Sequence, residues 1–204
     1  DIESLPFMEA IRQFGLEVGR ENVMYIHLTL VPYLKAAGEN KTKPTQHSVG
    51  RLREIGIIPD ILIARLEKAL SKEEHQKIAL FCNVDEECVL QEPDVENTIY
   101  ELPFMLLEQD IHKLIGEKLH LKVKEPALKE WRAMVDTVVN TDKKVKIAVV
   151  GKYSELQDAY KSIYEAIYHG GAAAGYNVEI AKVYAERIEK EGVKDHLGDV
   201  AGIL

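Results

Sequence analysis

Between Gly38 and Val49 the sequence reads Gly-Glu-Asn-Lys-Thr-Lys-Pro-Thr-Gln-His-Ser-Val, placing two lysines, two threonines and a glutamine in a chain that is otherwise acidic. Pro44 suits the first turn of a helix, where its missing N–H costs nothing and its φ is already set. Thr42 or Lys43 would then stand at the helix entrance, with backbone N–H groups pointing outward. A helix N-terminus flanked by the ammonium groups of Lys41 and Lys43 is suited to a polyphosphate, with Thr45 and Gln46 as neutral hydrogen-bonding groups. The same residues also fit a solvated basic turn ahead of a surface helix, and residue types alone leave both readings open. Lys77 is either a further phosphate cation or a surface charge. Phe81, one turn later, is either a stacking face for a base or part of a core.

Other residues carry weaker signals. Asp1 and Glu3 precede a helix, where carboxylates cap free N–H groups or accept hydrogen bonds from sugar hydroxyls. Arg65 follows a short apolar strand, and alone it indicates little. His27 sits in mid-strand and reads as a hydrogen-bonded core histidine. Cys82 and Cys88 are the only cysteines; their spacing matches no metal or redox pattern, so a buried free thiol is expected for each.

The elements that must position these groups read as alternating strands and helices. Leu5, Met8, Ile11 and Leu16 predict a helix over 5–18 that ends near Gly15 or Gly19. A buried strand is expected over 23–31, stopped by Pro32, and then a helix from the lysine-rich loop through Ile55, stopped by Gly56. Pro59 to Ala64 predicts a second strand. Ser71-Lys72-Glu73-Glu74 is a capping box, so a helix starts there and carries Lys77. The stretches 99–103 and 112–118 read as structural. Residues 125–139 predict one amphipathic helix, with Leu128, Trp131, Met134, Val135 and Val138 on its apolar face and Trp131 docking it on a neighbouring domain. Strands at 146–151, 177–183 and 200–204 alternate with helices, the first of them over about 156–169 and ended by Gly170-Gly171. Near-continuous apolar strands separated by helices argue a parallel, doubly wound sheet. The strand-Gly151-Lys152-Tyr153 start lacks the spacing of a P-loop.

A net charge of −8 over 204 residues argues against general nucleic-acid binding, so a phosphate ligand must be held by local basic clusters. No apolar run is long enough to cross a bilayer and no leader pattern is seen. These features predict a soluble, cytoplasmic protein.

The Lys41-Thr42-Lys43-Pro44-Thr45-Gln46 block resembles a motif of the CTP synthase family, whose members aminate UTP to CTP. So do Asp1-Ile2-Glu3-Ser4-Leu5-Pro6-Phe7 with Glu9-Ala10-Ile11-Arg12-Gln13, His27-Leu28-Thr29-Leu30-Val31-Pro32-Tyr33, Lys77-Ile78-Ala79-Leu80-Phe81-Cys82, and Val150-Gly151-Lys152-Tyr153 followed by Asp158-Ala159-Tyr160-Lys161-Ser162. These blocks follow family order along nearly the whole chain. The resemblance implies an α/β fold with two doubly wound, mainly parallel-sheet domains. They are the C-terminal part of a synthetase (amidoligase) domain over 1–122 and the start of a class I glutamine amidotransferase domain over 145–204, joined by a linker helix over 123–144. Both would be incomplete, since Asp1 opens inside a motif and Leu204 closes a strand.

The implied activity is a ligase of pyrimidine biosynthesis. ATP phosphorylates O4 of UTP, and ammonia, supplied directly or from glutamine, displaces the phosphate. The resemblance gives Lys41 and Lys43 a catalytic role and makes Lys41, Thr42, Lys43, Pro44, Thr45, Gln46, Lys77 and Phe81 contacts of UTP or CTP. It places Asp1, Ile2, Glu3 and Glu9 against CTP as feedback inhibitor, and Arg65, Pro93, Asp94 and Val95 near ATP. Pro93 departs from the family, which often has lysine there, and any contact from that side chain is lost. Mg2+ and ATP are implied cofactors, with the metal ligands and Gly-rich loop expected before Asp1 and the glutaminase Cys, His and Glu after Leu204. A homotetramer is implied, with no nucleic-acid or membrane partner. The alternative is a non-catalytic, CTP- or UTP-binding regulatory or polymer-forming relative. A different ligase or kinase of the same architecture fits the motifs poorly.

Overall fold

The computed structural model describes residues 2–154, 156 and 158–204, and for Ile2 the backbone alone. Asp1, expected to contact an inhibitor, lies outside the described residues. The chain divides into two compact units, one running to Pro126 and the other from Ala127 to Leu204.

Along the first unit run α1 (Leu5–Val18), β1 (Ile26–Val31), a hairpin of β2 (Tyr33–Leu34) and β3 (Glu39–Asn40), α2 (Lys43–Glu54), β4 (Ile61–Leu66), α3 (Lys72–Cys82), β5 (Val89–Pro93), α4 (Leu102–Glu108) and α5 (Ile111–Lys118). The strands form a parallel sheet in the order β1-β4-β5. The central strand β4 is apolar on both faces, as a strand covered on two sides must be. Leu62, Ala64 and Leu66 pack with Val31, Val49, Ile78 and Cys82 beneath α2 and α3. Ile61, Ile63 and Leu90 face the other way, against Leu106, Ile111, Leu114 and Ile115 of α4 and α5. Burial of side chains of this size contributes roughly 1.5–3 kcal/mol each. On β1 only one face is covered, and Ile26, Leu28 and Leu30 on the other stay exposed.

Strand β1 begins at Ile26 rather than Val23. A 3-10 turn, Arg20–Asn22, precedes residues 23–25, and the Tyr25 N–H donates to the Asp60 carboxylate at 2.7 Å. Gly19 ends α1 at a φ of 89°, and Gly56 follows α2 at 94°, backbone settings that glycine adopts without strain.

The second unit contains α6 (Lys129–Asn140), β6 (Lys144–Gly151), α7 (Lys161–Ala174), β7 (Asn177–Tyr184), α8 (Ala185–Glu191), α9 (Val193–Leu197) and β8 (Gly202–Ile203). Its sheet is again parallel, in the order β7-β6-β8. Two helix expectations are corrected here. Helix α6 starts at Lys129 and not at Glu125: Glu125 precedes Pro126, which disfavours helical backbone, and its carboxylate lies 3.4 Å from His112 Nε2. The side chain that α6 buries is Val135, whereas Trp131 remains 36% exposed. Helix α7 starts at Lys161, after turns closed by Leu156 N–H to Tyr153 O and Ala159 N–H to Leu156 O. It then runs through Gly170-Gly171 and stops at Gly175, whose φ is 80°. Gly171 is not a stop signal but a contact: a Cβ there would overlap the Val178 side chain of β7.

Among the described residues no helix is long and apolar enough to cross a membrane.

Candidate functional site

In the first sheet Val31, Leu66 and Pro93 lie in register at the carboxyl ends of their strands. Loops leaving that edge of an open α/β sheet are where ligands bind, and Lys41, Thr42, Asp94 and Val95 sit on those loops, while Lys43 to Gln46 open α2 and Lys77 and Phe81 lie along α3. After Pro32 the chain folds into the β2–β3 hairpin, closed by Lys41 N–H donating to Pro32 O at 2.8 Å. The hairpin is pinned to the loop after β4. Lys68 donates to the Tyr33 hydroxyl at 3.2 Å and stands 4.3 Å from that ring's centroid. Lys35 pairs with Glu67 at 3.4 Å.

Helix α2 then begins, with Thr42 as its first flanking residue and Pro44 in the first turn. Thr42 makes no side-chain cap to the helix N–H groups; its buried hydroxyl accepts instead from Gln46 Nε2 at 3.1 Å. Thr45 is fully buried. It accepts from the Thr29 hydroxyl at 3.2 Å and donates to Leu30 O at 3.3 Å. Half of the six-residue block is therefore turned inward: Thr45 fastens α2 to β1, and Thr42 and Gln46 bond each other. Thr45 Oγ1 and Gln46 Nε2, expected to hydrogen-bond a ligand, each make a bond within the fold. Lys43 is exposed and Lys41 is partly so, forming an ion pair with Glu39.

Helix α3 starts where its capping box predicts: the Glu74 N–H donates to Ser71 Oγ at 3.2 Å, and the Ser71 N–H donates to Glu74 Oε2 at 2.8 Å. Residues 74, 77 and 81 follow i, i+3, i+7 spacing and share one face of this helix. Lys77 is exposed, and Phe81 is half exposed rather than core. Lys43 Nζ of α2 stands 6.0 Å from the Phe81 ring centroid, so one cation and one aromatic face come together from two helices. Arg53 adds a bond to the Phe81 carbonyl at 3.3 Å.

At the end of β5, Arg65 Nε donates to Asp94 Oδ1 at 3.2 Å, and the Asp94 N–H donates to Leu66 O at 3.1 Å. Asp94 and Val95 then line a cavity of about 450 Å3 with Asn97, Glu101, Phe104 and Met105. Its volume is that of a small-molecule site. Pro93 closes the strand as a residue without an N–H to donate.

The remaining expectations distribute as follows. Glu3 lies in a 3-10 turn, Ile2–Ser4, and is exposed. The carboxylate of Glu9 accepts from Arg12 Nη2 at 2.6 Å and Gln13 Nε2 at 2.7 Å, and these bonds hold its pKa at about 2. His27 is half-buried and shares a hydrogen bond with Ser48 Oγ at 2.9 Å; burial lowers its pKa. Burial raises the thiol pKa of both Cys82 and Cys88, which leaves them poor nucleophiles. Among the described residues no group of three or more His, Cys, Asp or Glu side chains converges on a metal position.

Two arrangements escaped the sequence reading. Asp60, its carboxylate only 5% exposed, receives Lys118 Nζ at 2.9 Å and Arg20 Nη2 at 3.4 Å besides the Tyr25 N–H. It borders a second cavity, of about 520 Å3, at the opposite strand ends. No spacing marks an aspartate whose partners lie 35 or more residues away. Glu74 was legible as half of a capping box, but not its bonds to Asn40: Asn40 N–H and Nδ2 donate to Glu74 at 3.2 and 3.1 Å.

Residues 1–121 match the family model of the CTP synthase N-terminus. Across all 204 residues the chain is 55% identical to a CTP synthase of Clostridium beijerinckii and 51% identical to one of Geobacillus kaustophilus. It is 54% identical over 197 residues to a CTP synthase of Methanocaldococcus jannaschii. The aligned chain covers 38%, 38% and 36% of these three relatives and 100%, 100% and 97% of itself. It thus spans well under half the length of the curated relatives it matches. The family match assigns residues 1–121 to the N-terminal part of such proteins, which replaces the expectation of a C-terminal part of the synthetase domain.

Proposed function

The chain belongs to the CTP synthase family, and on that premise we propose that it carries the pyrimidine-nucleotide site of an enzyme that aminates UTP to CTP. The single observation that carries this reading is the meeting of Lys43, at the start of α2, with the half-exposed ring of Phe81 on α3. Lys41 precedes α2, which has no side-chain cap at its N-terminal end, and Lys77 shares α3 with Phe81.

UTP brings about four negative charges at neutral pH, which must be neutralised before a second polyphosphate can approach. Lys41 and Lys43 bind its phosphates as point charges, aided by the positive end of α2. Lys77, one turn before Phe81, is the third cation. Phe81 offers its exposed face to the pyrimidine, an arrangement in which an aromatic ring stabilises a base without being wetted. Pro44 holds the helix entrance in place. Thr42, Thr45 and Gln46 stabilise the start of α2 through their internal bonds.

ATP occupies the neighbouring cavity past β5, its base against Val95 and Asp94, with Arg65 held at the rim by its Asp94 pair. Pro93 supplies at most a backbone carbonyl. Phosphoryl transfer from ATP to O4 of UTP makes that oxygen a leaving group. Ammonia then adds at C4 and phosphate departs, giving CTP. Magnesium, when bound with ATP, would neutralise the transferred phosphoryl group; this chain's contribution is the lysine cluster. The second unit is read as the start of a class I glutamine amidotransferase domain that supplies ammonia from glutamine. Glu3 and Glu9, with Asp1 and Ile2, are read as the side that receives CTP as inhibitor, and the assembly as a homotetramer.

The test is UTP binding by the full-length chain. Each of Lys43→Ala and Lys41→Ala removes a charge-assisted contact of about 1.5–3 kcal/mol, so the Kd for UTP should rise by about tenfold to a hundredfold. The far-ultraviolet spectrum should stay unchanged. Unaltered UTP affinity in both variants would overturn the assignment.

A further inference from the structure

We infer that Asn40 and Glu74 form a positioning clamp that sets the lysine loop against α3, so that Lys41, Lys43, Lys77 and Phe81 address one nucleotide; this deepens the proposed UTP site and rests on it. Asn40 is the last residue of the hairpin before Lys41. Its N–H donates to Glu74 Oε1 at 3.2 Å and its Nδ2 to Glu74 Oε2 at 3.1 Å, and Nδ2 also reaches Ala69 O at 3.3 Å. Both neighbours of Nδ2 are acceptors, which fixes the amide's orientation. The cost is visible at the other end of the amide: Asn40 Oδ1 is buried without a donor. Buried polar atoms are rarely left so, and here the orphan accompanies an amide aimed at Glu74.

Glu74 closes the capping box of α3 with the same carboxylate, so one side chain joins the helix start to the loop. It lies three residues before Lys77 and seven before Phe81 on a shared face. Movement of the loop along this clamp would therefore shift Lys41 and Lys43 relative to Lys77. Neither clamp residue needs to touch the nucleotide.

A purely structural cap can be separated from a clamp, because Ser71 takes part in the box but makes no bond to Asn40. In the full-length chain, Ser71→Ala should lower Tm while leaving the KM for UTP unchanged. Asn40→Ala keeps the box intact and should raise the KM for UTP roughly fivefold to tenfold, with the KM for ATP unchanged. Glu74→Gln should do both. The clamp is refuted if Asn40→Ala binds UTP as the wild type does, or if Ser71→Ala raises the KM for UTP as much as Asn40→Ala. A wild-type chain that neither forms CTP nor binds UTP overturns the nucleotide reading, and the clamp with it.

Discussion

Replacing Thr45 by valine separates what the lysine-rich block does for the fold from what it does for a ligand. Thr45 is fully buried, and its hydroxyl makes one bond from Thr29 at 3.2 Å and one to Leu30 O at 3.3 Å. Valine keeps the shape and removes both. Each bond is long, so each is assigned about 0.5–1 kcal/mol. The Thr29 hydroxyl, itself buried, then loses its partner, so the total cost should be about 1–2 kcal/mol. Thr45→Ser keeps the hydroxyl and loses one buried methyl, again about 1 kcal/mol. Denaturant unfolding followed by circular dichroism measures both stabilities, and calorimetric titration measures UTP affinity. Both variants should be destabilised, and both should bind UTP within about threefold of the wild type. A Thr45→Val protein as stable as the wild type but binding UTP more than about tenfold more weakly would refute the reasoning and put the hydroxyl on the ligand.

Asp60→Ala leaves Arg20 and Lys118 without their shared carboxylate and Tyr25 N–H without its acceptor. With both cations half exposed, a loss of about 2–3 kcal/mol is expected in chemical denaturation. The adjacent glycines of α7 should behave oppositely in thermal melts. Gly170→Ala meets nothing within 4 Å and should stabilise by about 0.5–1 kcal/mol, whereas Gly171→Ala drives a methyl into Val178 and should cost about 1–3 kcal/mol. Glu9 is held at a pKa of about 2 against an ordinary 4.5. A depressed folded value means its contribution to stability is present above pH 4.5 and lost as pH falls through about 2. Carboxyl resonances followed by NMR should show that midpoint, and Arg12→Ala should move it upward toward the ordinary value.

How far the molecule could be read in advance depended on how local each determinant is. Capping at Ser71, the proline in the first turn of α2 and the glycine stops after α1 and α2 are decided within a few residues, and they stand where the spacing put them. The apolar stretch 59–64 similarly announced a strand, which stands at Ile61–Leu66. Gly170-Gly171 misled because a glycine's local meaning, a helix stop, was overridden by a tertiary one, room for Val178. The helix expected from Glu125 failed through Pro126, which disfavours helical backbone in the residue before it. At the candidate site the exposed cations were legible from type and spacing, but the inward turn of Thr42, Thr45 and Gln46 was not. For Thr45 that turn depends on Thr29 and Leu30 of a neighbouring strand, while Thr42 and Gln46 bond each other. Asp60 and the Asn40–Glu74 pair depend on partners more than 30 residues away, a range no sequence pattern reports.

The central claim, that this lysine cluster belongs to an enzyme that aminates UTP, is tested most directly by CTP formation in the full-length chain supplied with UTP, Mg-ATP and either glutamine or ammonia. The account predicts CTP from both nitrogen donors, and loss of turnover with both in Lys43→Ala while its fold is kept. Absence of CTP from either donor, in a wild-type chain that still binds CTP, would contradict it and point to a nucleotide-binding regulator.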